Sequence, residues 1–409
     1  MRPYRMTHNT IHNTDSLLRL GLDARMWGPK HTGIGRYVEN LADQLIDLKN
    51  QNKFKAEIIL FVRKEDLATI RKKYGSKVNY KIADFPHYSL KEQLFLPKIL
   101  KEARCDLVHF PHFNVPLFYQ APFAVTIHDL TKHSFGGQKT TTRFLPFYYL
   151  KYLAYKVIIR QAVKKAAIIF TPSNFVKNQL VKQYKIDPKK IIVTYEGVGE
   201  KFAHSEKTDE TTRRQILSLY RLNKPYLLYV GNLYPHKNIP LLIEAVKRAR
   251  QKIPALNLVI VCGRNVFWQR LKQEIKNSQS ESFVRLTGFV PDEDLKVLYQ
   301  EATAFVFPSL SEGFGLPGLE AASLGCPVVS SNATSLPEIY GSAVLYFNPH
   351  NPQDMAEKII KICEDEKLRE NLIKKGYQQV KKYSWEKMAE ETIAGYEKAI
   401  IKHAGDDGI

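Results

Sequence analysis

The chain has 409 residues, 44% hydrophobic and 25% charged, with a formal net charge of +20. That length predicts two or three domains, and that balance excludes a disordered or fibrous chain. The positive excess implies an anionic partner (nucleic acid, anionic lipid or phosphorylated small molecules) without choosing among them.

Residues 1–16, MRPYRMTHNTIHNTDS, hold no apolar run, so they read as a disordered extension rather than a secretory signal. No run of about 18 apolar residues occurs to span a bilayer. Cys105, Cys262, Cys326 and Cys363 lie far apart with no Cys-x-x-Cys pair. That spacing points to reduced thiols in a cytoplasmic protein, and to neither a disulfide framework nor a cysteine zinc site.

Strand-like runs then alternate with helical ones. LLRLGLD, AEIILFV, VNYKIA, CDLVHF, FAVTIH, AAIIFTP and IIVTYEG come first, with helices expected at 36–48 and 67–73. The charged stretch 200–214 reads as a linker. YLLYVGN, LNLVIVCG, FVRLTGF, AFVFPS, PVVSS and AVLYF follow, with helices expected at 239–251 and 292–301. A last helix, 384–403, has no strand after it. The alternation predicts two α/β units, each a doubly wound parallel sheet. The expected domains are an extension at 1–16, a first domain at 17–205, a second at 206–383, and a C-terminal helix at 384–409 that packs back toward the first. Ligands of such sheets bind outside the carboxyl ends of strands, so two facing sheets would form a cleft, and candidate residues should follow strands.

They do. SEGFGLPGLEAASLG (311–325) leaves the strand AFVF, and seven residues separate Glu312 from Glu320. Pro317 suits the first turn of a helix and Gly325 its end, which puts Glu320 in the first helical turn. Gly313 and Gly315 allow backbone amides close to a ligand, and the helix start adds free donors that suit phosphate. Carboxylates only accept hydrogen bonds, which hydroxyls of a sugar and a ribose would supply. A capped helix with a solvated glutamate at each end would be written the same way.

In YVGNLYPHKN (229–238), Lys237 stands just before a helix that Asn238 can cap, a good place for a cation that meets phosphate. In VTIHDL, His128 follows a buried-type strand and can donate or accept at neutral pH; no nucleophile motif accompanies it. In KHTGIGRY (30–37), Gly33 and Gly35 form a strand-to-helix turn that can approach a phosphate. Position 38 is valine, so no dinucleotide fingerprint is present. The run 148–167 carries Lys151, Lys156, Arg160 and Lys164 along one helical side. It is either a solvated face or a surface for an anionic membrane. His109 and His112 lack the cysteines or carboxylates of a metal site, so no metal is expected.

Taken together, these strings resemble a family 4 retaining glycosyltransferase of the GT-B fold, over nearly the whole chain after Leu17. They are GLDARMWGPKHTGIGRYVENL, VTIHDL, FTPSNFVKNQL, YVGNLYPHKN and LTGFVPDEDLKVLYQEATAFVFPSLSEGFGLPGLEAASLGCPVVSSNATSLPEI. The first of these and SNATSLPEI most resemble mannosyltransferase-like members that build bacterial surface polysaccharides. The resemblance implies two Rossmann-like parallel-sheet domains facing across a cleft. It implies transfer of a hexose, mannose from GDP-mannose, to a glycan or lipid-linked acceptor, without metal or cofactor and with the anomeric configuration kept. The cysteine spacing and the basic run at 148–167 give the expected location, cytoplasmic or at the inner membrane face.

On matching positions, Glu312 would contact donor hydroxyls and Glu320 the ribose, and the backbone of Gly313, Phe314, Gly315 and Leu316 would bind sugar and diphosphate. Lys237 would neutralise the diphosphate with help from Gly33 and Gly35, and His128 would sit against the transferred sugar. Where the family often places an arginine, this chain has Asn232, kept as a donor-binding candidate, and His236; Arg264 is a nearby substitute cation. Acceptor contacts are expected around 104–118 and 135–147. Rival readings are a sugar-nucleotide epimerase, a non-catalytic partner subunit, and a nucleic-acid-binding protein, which the dispersed lysines argue against.

Overall fold

A computed structural model describes residues 17–134, 145–203 and 208–406. The extension expected at 1–16 lies outside them, as does most of the stretch 135–147. Two compact units are present: residues up to 125 together with those from 396 onward, and residues 126–395.

All of the strand-like runs are strands. They are β1 (Leu18–Asp23), β2 (Ala56–Val62), β3 (Asn79–Ile82), β4 (Leu107–Phe110), β5 (Phe123–Thr126), β6 (Ile168–Thr171) and β7 (Ile191–Val193), then β8 (Tyr226–Val230), β9 (Asn257–Val261), β10 (Val284–Gly288), β11 (Ala304–Phe307), β12 (Val328–Ser331) and β13 (Leu345–Phe347).

In the first unit the order is β3-β2-β1-β4-β5, every pair parallel. β1 is central, with Leu20 opposite Ile58 on one side and Leu107 on the other. In the second unit β6 pairs with β7, and a six-stranded parallel sheet runs β10-β9-β8-β11-β12-β13. There the chain starts at β8, steps outward to β10, then returns to the other side of β8. This is doubly wound Rossmann-like topology, as the alternation predicts. β4, β5, β6, β11 and β12 are buried at every position. Strands covered on both faces read as continuous apolar runs, which is why these were visible in the sequence.

Helix starts differ more. The helix expected at 36–48 spans Thr32–Asn50, after a short 3-10 turn at Pro29–His31. Gly33 and Gly35 therefore lie in its first turn, not in a loop ahead of it. Gly35 is packed so tightly that a β-carbon there would overlap the Gly28 carbonyl oxygen. The linker expected at 200–214 folds from residue 210 into the helix Glu210–Leu219, capped by Asp209, whose carboxylate accepts from Thr212 N at 2.9 Å. The last helix is Trp385–Asp406. Its Tyr396 belongs to the first unit, and the Tyr396 hydroxyl and His109 Nδ1 are hydrogen-bonded at 2.6 Å in the core. Among the described residues no helix is long and apolar enough to cross a membrane.

Candidate functional site

The loops leaving β8, β11 and β12 converge on one ion pair. β8 is followed by a 3-10 turn, Pro235–Lys237, closed by Lys237 N donating to Tyr234 O at 2.8 Å. The loop after β11 is tied to that turn by Leu310 N, which donates to His236 O at 2.7 Å. These ties bring Lys237 Nζ to 2.5 Å from Glu312 Oε1, with both side chains only 12–13% exposed. Thr334 and Ser335, after β12, hold the backbone of Glu312: Glu312 N donates to Thr334 Oγ1, and Ser335 Oγ donates to Glu312 O, each at 3.0 Å. Two residues predicted separately, from separate strand ends, thus share one contact.

Beyond Glu312 the backbone is packed from several directions. A β-carbon on Gly313 would overlap the carbonyl oxygen of His128, and Gly313 O accepts from Ser173 Oγ at 2.7 Å. Thr131 Oγ1 and Ser311 Oγ share a hydrogen bond of 3.1 Å. So the segment carrying His128 lies directly against the Glu312 loop, and His128 Nδ1 is 3.4 Å from Glu196 Oε1. Phe314 is buried between the rings of Tyr195 and Tyr383, at 6.5 and 5.6 Å. Gly315 has φ +102°, a region that disfavours side chains, and its carbonyl accepts from the Tyr340 hydroxyl at 2.5 Å. The structure therefore gives Gly313 and Gly315 a cause of their own, contact with His128 and Tyr340.

The helix that follows is Leu316–Ser323, with Pro317 in its first turn as expected. Glu320 opens the second turn rather than sitting in the first, because the helix starts at Leu316. It is 2% exposed. Burial, then the charge of Glu312 and further charges that include Glu320, push the Tyr340 phenol well above its ordinary range. Tyr340 therefore stays protonated as the donor to Gly315.

One further expectation needs correction. Asn238 does not cap its helix, Ile239–Ala249, through its side chain. Its backbone is left-handed, φ +60°, and its amide donates instead to Pro308 O and Pro349 O at 3.2 and 2.8 Å. Asn232 is also used locally: its carbonyl accepts from the Tyr229 hydroxyl at 2.7 Å and its Oδ1 from Tyr234 N at 3.3 Å. Burial, and then repulsion from Lys237, lower the His236 imidazole to about 4, so it is neutral at pH 7. Arg264 lies against Gly288 with its guanidinium 5.9 Å from the Trp268 ring. Gly33 and Gly35 lie in the first unit.

Ser173, Glu196, Thr334, Ser335, Glu338 and Tyr340 support the site and were not singled out individually. Glu338 accepts from Asn174 N, Phe175 N and the Tyr195 hydroxyl at 2.7–2.9 Å. Ser173 lies in FTPSNF and Thr334, Ser335 and Glu338 in SNATSLPEI, but the contacts that give them their roles are made with distant segments. Among the described residues no group of three or more His, Cys, Asp or Glu could hold a metal ion.

The run expected to be a basic helix is helical over Leu145–Lys165. Tyr155, Ile159, Ala162 and Val163 are buried, while Lys151, Lys156, Arg160 and Lys164 are exposed. Tyr149, Leu150, Leu153 and Val157 are exposed as well. The outer face thus mixes apolar and basic side chains, where the sequence suggested that they separate.

Residues 31–201 match the family model described as Glycosyltransferase Family 4, and residues 212–379 the one described as Glycosyl transferases group 1. O-antigen chain mannosyltransferase B of Escherichia coli is 30% identical over 304 residues, 73% of this chain and 75% of that protein. O-antigen chain mannosyltransferase RfbU of Salmonella typhimurium is 28% identical over 65% of this chain and 67% of its own length. Among solved structures, sucrose-phosphate synthase from Thermosynechococcus elongatus aligns with TM-score 0.71 and 19% identity, covering 94% of this chain and 100% of that one. A glycosyltransferase from Rickettsia africae aligns with TM-score 0.69 and 18% identity over 94% and 99%.

Proposed function

Because the chain belongs to glycosyltransferase family 4, we propose that it transfers mannose from GDP-mannose to a glycan or lipid-linked acceptor in surface polysaccharide synthesis. The choice of mannose rests on the relative that is 30% identical, an O-antigen chain mannosyltransferase. The observation that carries the site is the Lys237–Glu312 pair at 2.5 Å, on a loop packed against His128.

In the proposed reaction the bond from the anomeric carbon to the donor phosphate breaks, and its electron pair leaves with GDP. An acceptor hydroxyl adds on the same face, and its proton passes to the departing phosphate oxygen. The main task is to stabilise negative charge on the leaving group. A bound diphosphate would draw the Lys237 ammonium from Glu312, and Glu312 would then accept from donor hydroxyls. The amides of Gly313, Phe314, Gly315 and Leu316 would add donors, Glu320 would take the ribose, and His128 would face the sugar. Asn232 completes the proposed donor set of the second unit. With a lysine and backbone amides in the cation's place, the reaction is proposed to need neither metal nor cofactor.

The mixed apolar and basic face of the helix Leu145–Lys165 supports a second part of the proposal, that the protein works in the cytoplasm at an anionic membrane surface. Incubation with labelled GDP-, UDP- and ADP-sugars tests the donor. Label from GDP-mannose is expected in a glycan product, with thermal protection by the same nucleotide. Interconversion of the nucleotide sugar without release of GDP would instead support an epimerase.

A further inference from the structure

The first unit holds a second arrangement that the donor site does not use. Arg25, 1% exposed, is paired with Asp23 at 2.6 and 2.7 Å and with Glu92 at 2.8 Å. Burial raises the Asp23 carboxyl, but the adjacent Arg25 outweighs it and leaves the group below its ordinary value. Glu92 is wholly buried and also accepts from Tyr88 N at 2.8 Å and from Asn114 Nδ2 at 2.6 Å. One carboxylate therefore ties together the segments that follow β1, β3 and β4, all at the carboxyl edge of the first sheet. A buried ion network of this kind is weak evidence for stability alone. Here it fixes the position of something at the surface.

That something is Tyr88. Its backbone is left-handed, φ +61°, although it is not glycine, and its side chain is 45% exposed. Such a conformation is disfavoured for a residue with a side chain and persists where its surroundings impose it. The Tyr88 ring lies 5.9 Å from each of the His112 and Phe113 rings and 6.4 Å from that of His87, and His87 meets His31 at 5.9 Å. The Tyr88 hydroxyl is 3.4 Å from His112 Nε2. Burial, then the charges of His87 and Lys30, lower the His31 imidazole, so it is uncharged at pH 7 and can either donate or accept.

We propose that Tyr88, flanked by His31, His87 and His112, is a platform for one pyranose ring of the acceptor glycan. A pyranose offers an apolar C–H face to an aromatic ring and a rim of hydroxyls to imidazoles, which both donate and accept. The groups in ring contact here are tyrosine, phenylalanine and imidazole, which suit a neutral sugar better than a phosphate. The assignment of the ligand as an acceptor rests on the function proposed above; the binding of a sugar does not.

The test is saturation-transfer NMR on the full chain, with methyl α-D-mannopyranoside and an α-linked mannobiose as probes. Transfer to the probes is expected in the wild type. Tyr88→Asn, which suits the left-handed turn but removes the ring, weakens binding at least tenfold, and Tyr88→Phe stays within about threefold of the wild type. GDP affinity is unchanged in both. No saturation transfer to the wild type, equal sugar affinity in Tyr88→Asn, or a matching loss of GDP affinity overturns the platform. If sugar binding behaves as stated while GDP-mannose yields no transfer, the platform stands and the donor reading fails.

Discussion

At the residue scale, the proposed donor site turns on Lys237 and Glu312. Charge-assisted hydrogen bonds of this type contribute about 1.5–3 kcal/mol. Lys237→Ala is therefore expected to weaken GDP-mannose binding by roughly 10- to 100-fold in calorimetric titration, and unchanged affinity would remove the residue from the site. Gly313 makes a separate prediction. A β-carbon there meets the His128 carbonyl, so Gly313→Ala should lower stability by about 1–3 kcal/mol, read as the urea midpoint. His236 predicts a pH effect. Its folded pKa of about 4 lies below the usual histidine value, so the unfolded chain takes up the proton first as pH falls. Stability is therefore lost between about pH 6.5 and 4, and His31 and His133, also lowered by burial, act in the same direction. In His236→Gln the fall in unfolding temperature across that window should be smaller; an identical fall would show that His236 is not buried neutral. Glu312, Lys237 and His128 were legible because each follows a strand within a recognisable string. Thr334, Ser335, Ser173 and Tyr340 were not, because their roles arise from contacts with backbone far away in sequence, which the fold alone supplies.

At the scale of elements, strands were read more faithfully than helix starts, and the reason is burial. A strand covered on both faces leaves an apolar run, whereas a helix start depends on one capping residue and the backbone angles beside it. Thr32–Asn50 begins before its glycines, which have poor intrinsic helix propensity. Glu210–Leu219 is too polar to stand out from a linker, yet Asp209 caps it. Asn238 has the residue type of a cap but the wrong backbone conformation to act as one. In Val266–Asn277 and Pro352–Glu364 the caps are Asn265 and Asn351, whose side chains accept from the first free amides. The helix Leu145–Lys165 carries its own prediction. Each basic side chain near an anionic surface contributes about 1 kcal/mol. Replacing Lys151, Lys156, Arg160 and Lys164 by alanine should abolish sedimentation with phosphatidylglycerol vesicles at low salt. Leu150→Ser with Leu153→Ser should weaken it at any salt, since those side chains are exposed and apolar. Unaltered sedimentation in both variants would remove this helix from membrane contact.

For the whole molecule, the net charge of +20 named a class of partner but no particular one. Within that class, the donor proposed for the loops around Lys237 is a phosphorylated small molecule, and the helix Leu145–Lys165 is the part proposed for anionic lipid. The proposed chemistry asks only for stabilisation of a departing diphosphate, so activity should survive chelation: excess EDTA is expected to leave the rate of mannose transfer unchanged. The most direct measurement follows the reaction itself by proton NMR, with GDP-mannose and an α-mannoside acceptor, in the wild type and in Lys237→Ala. GDP is expected to be released one for one with a new α-linked mannoside, with kcat/KM at least tenfold lower in the variant. A β-linked product, a nucleotide sugar altered without release of GDP, or a variant as active as the wild type would contradict that expectation.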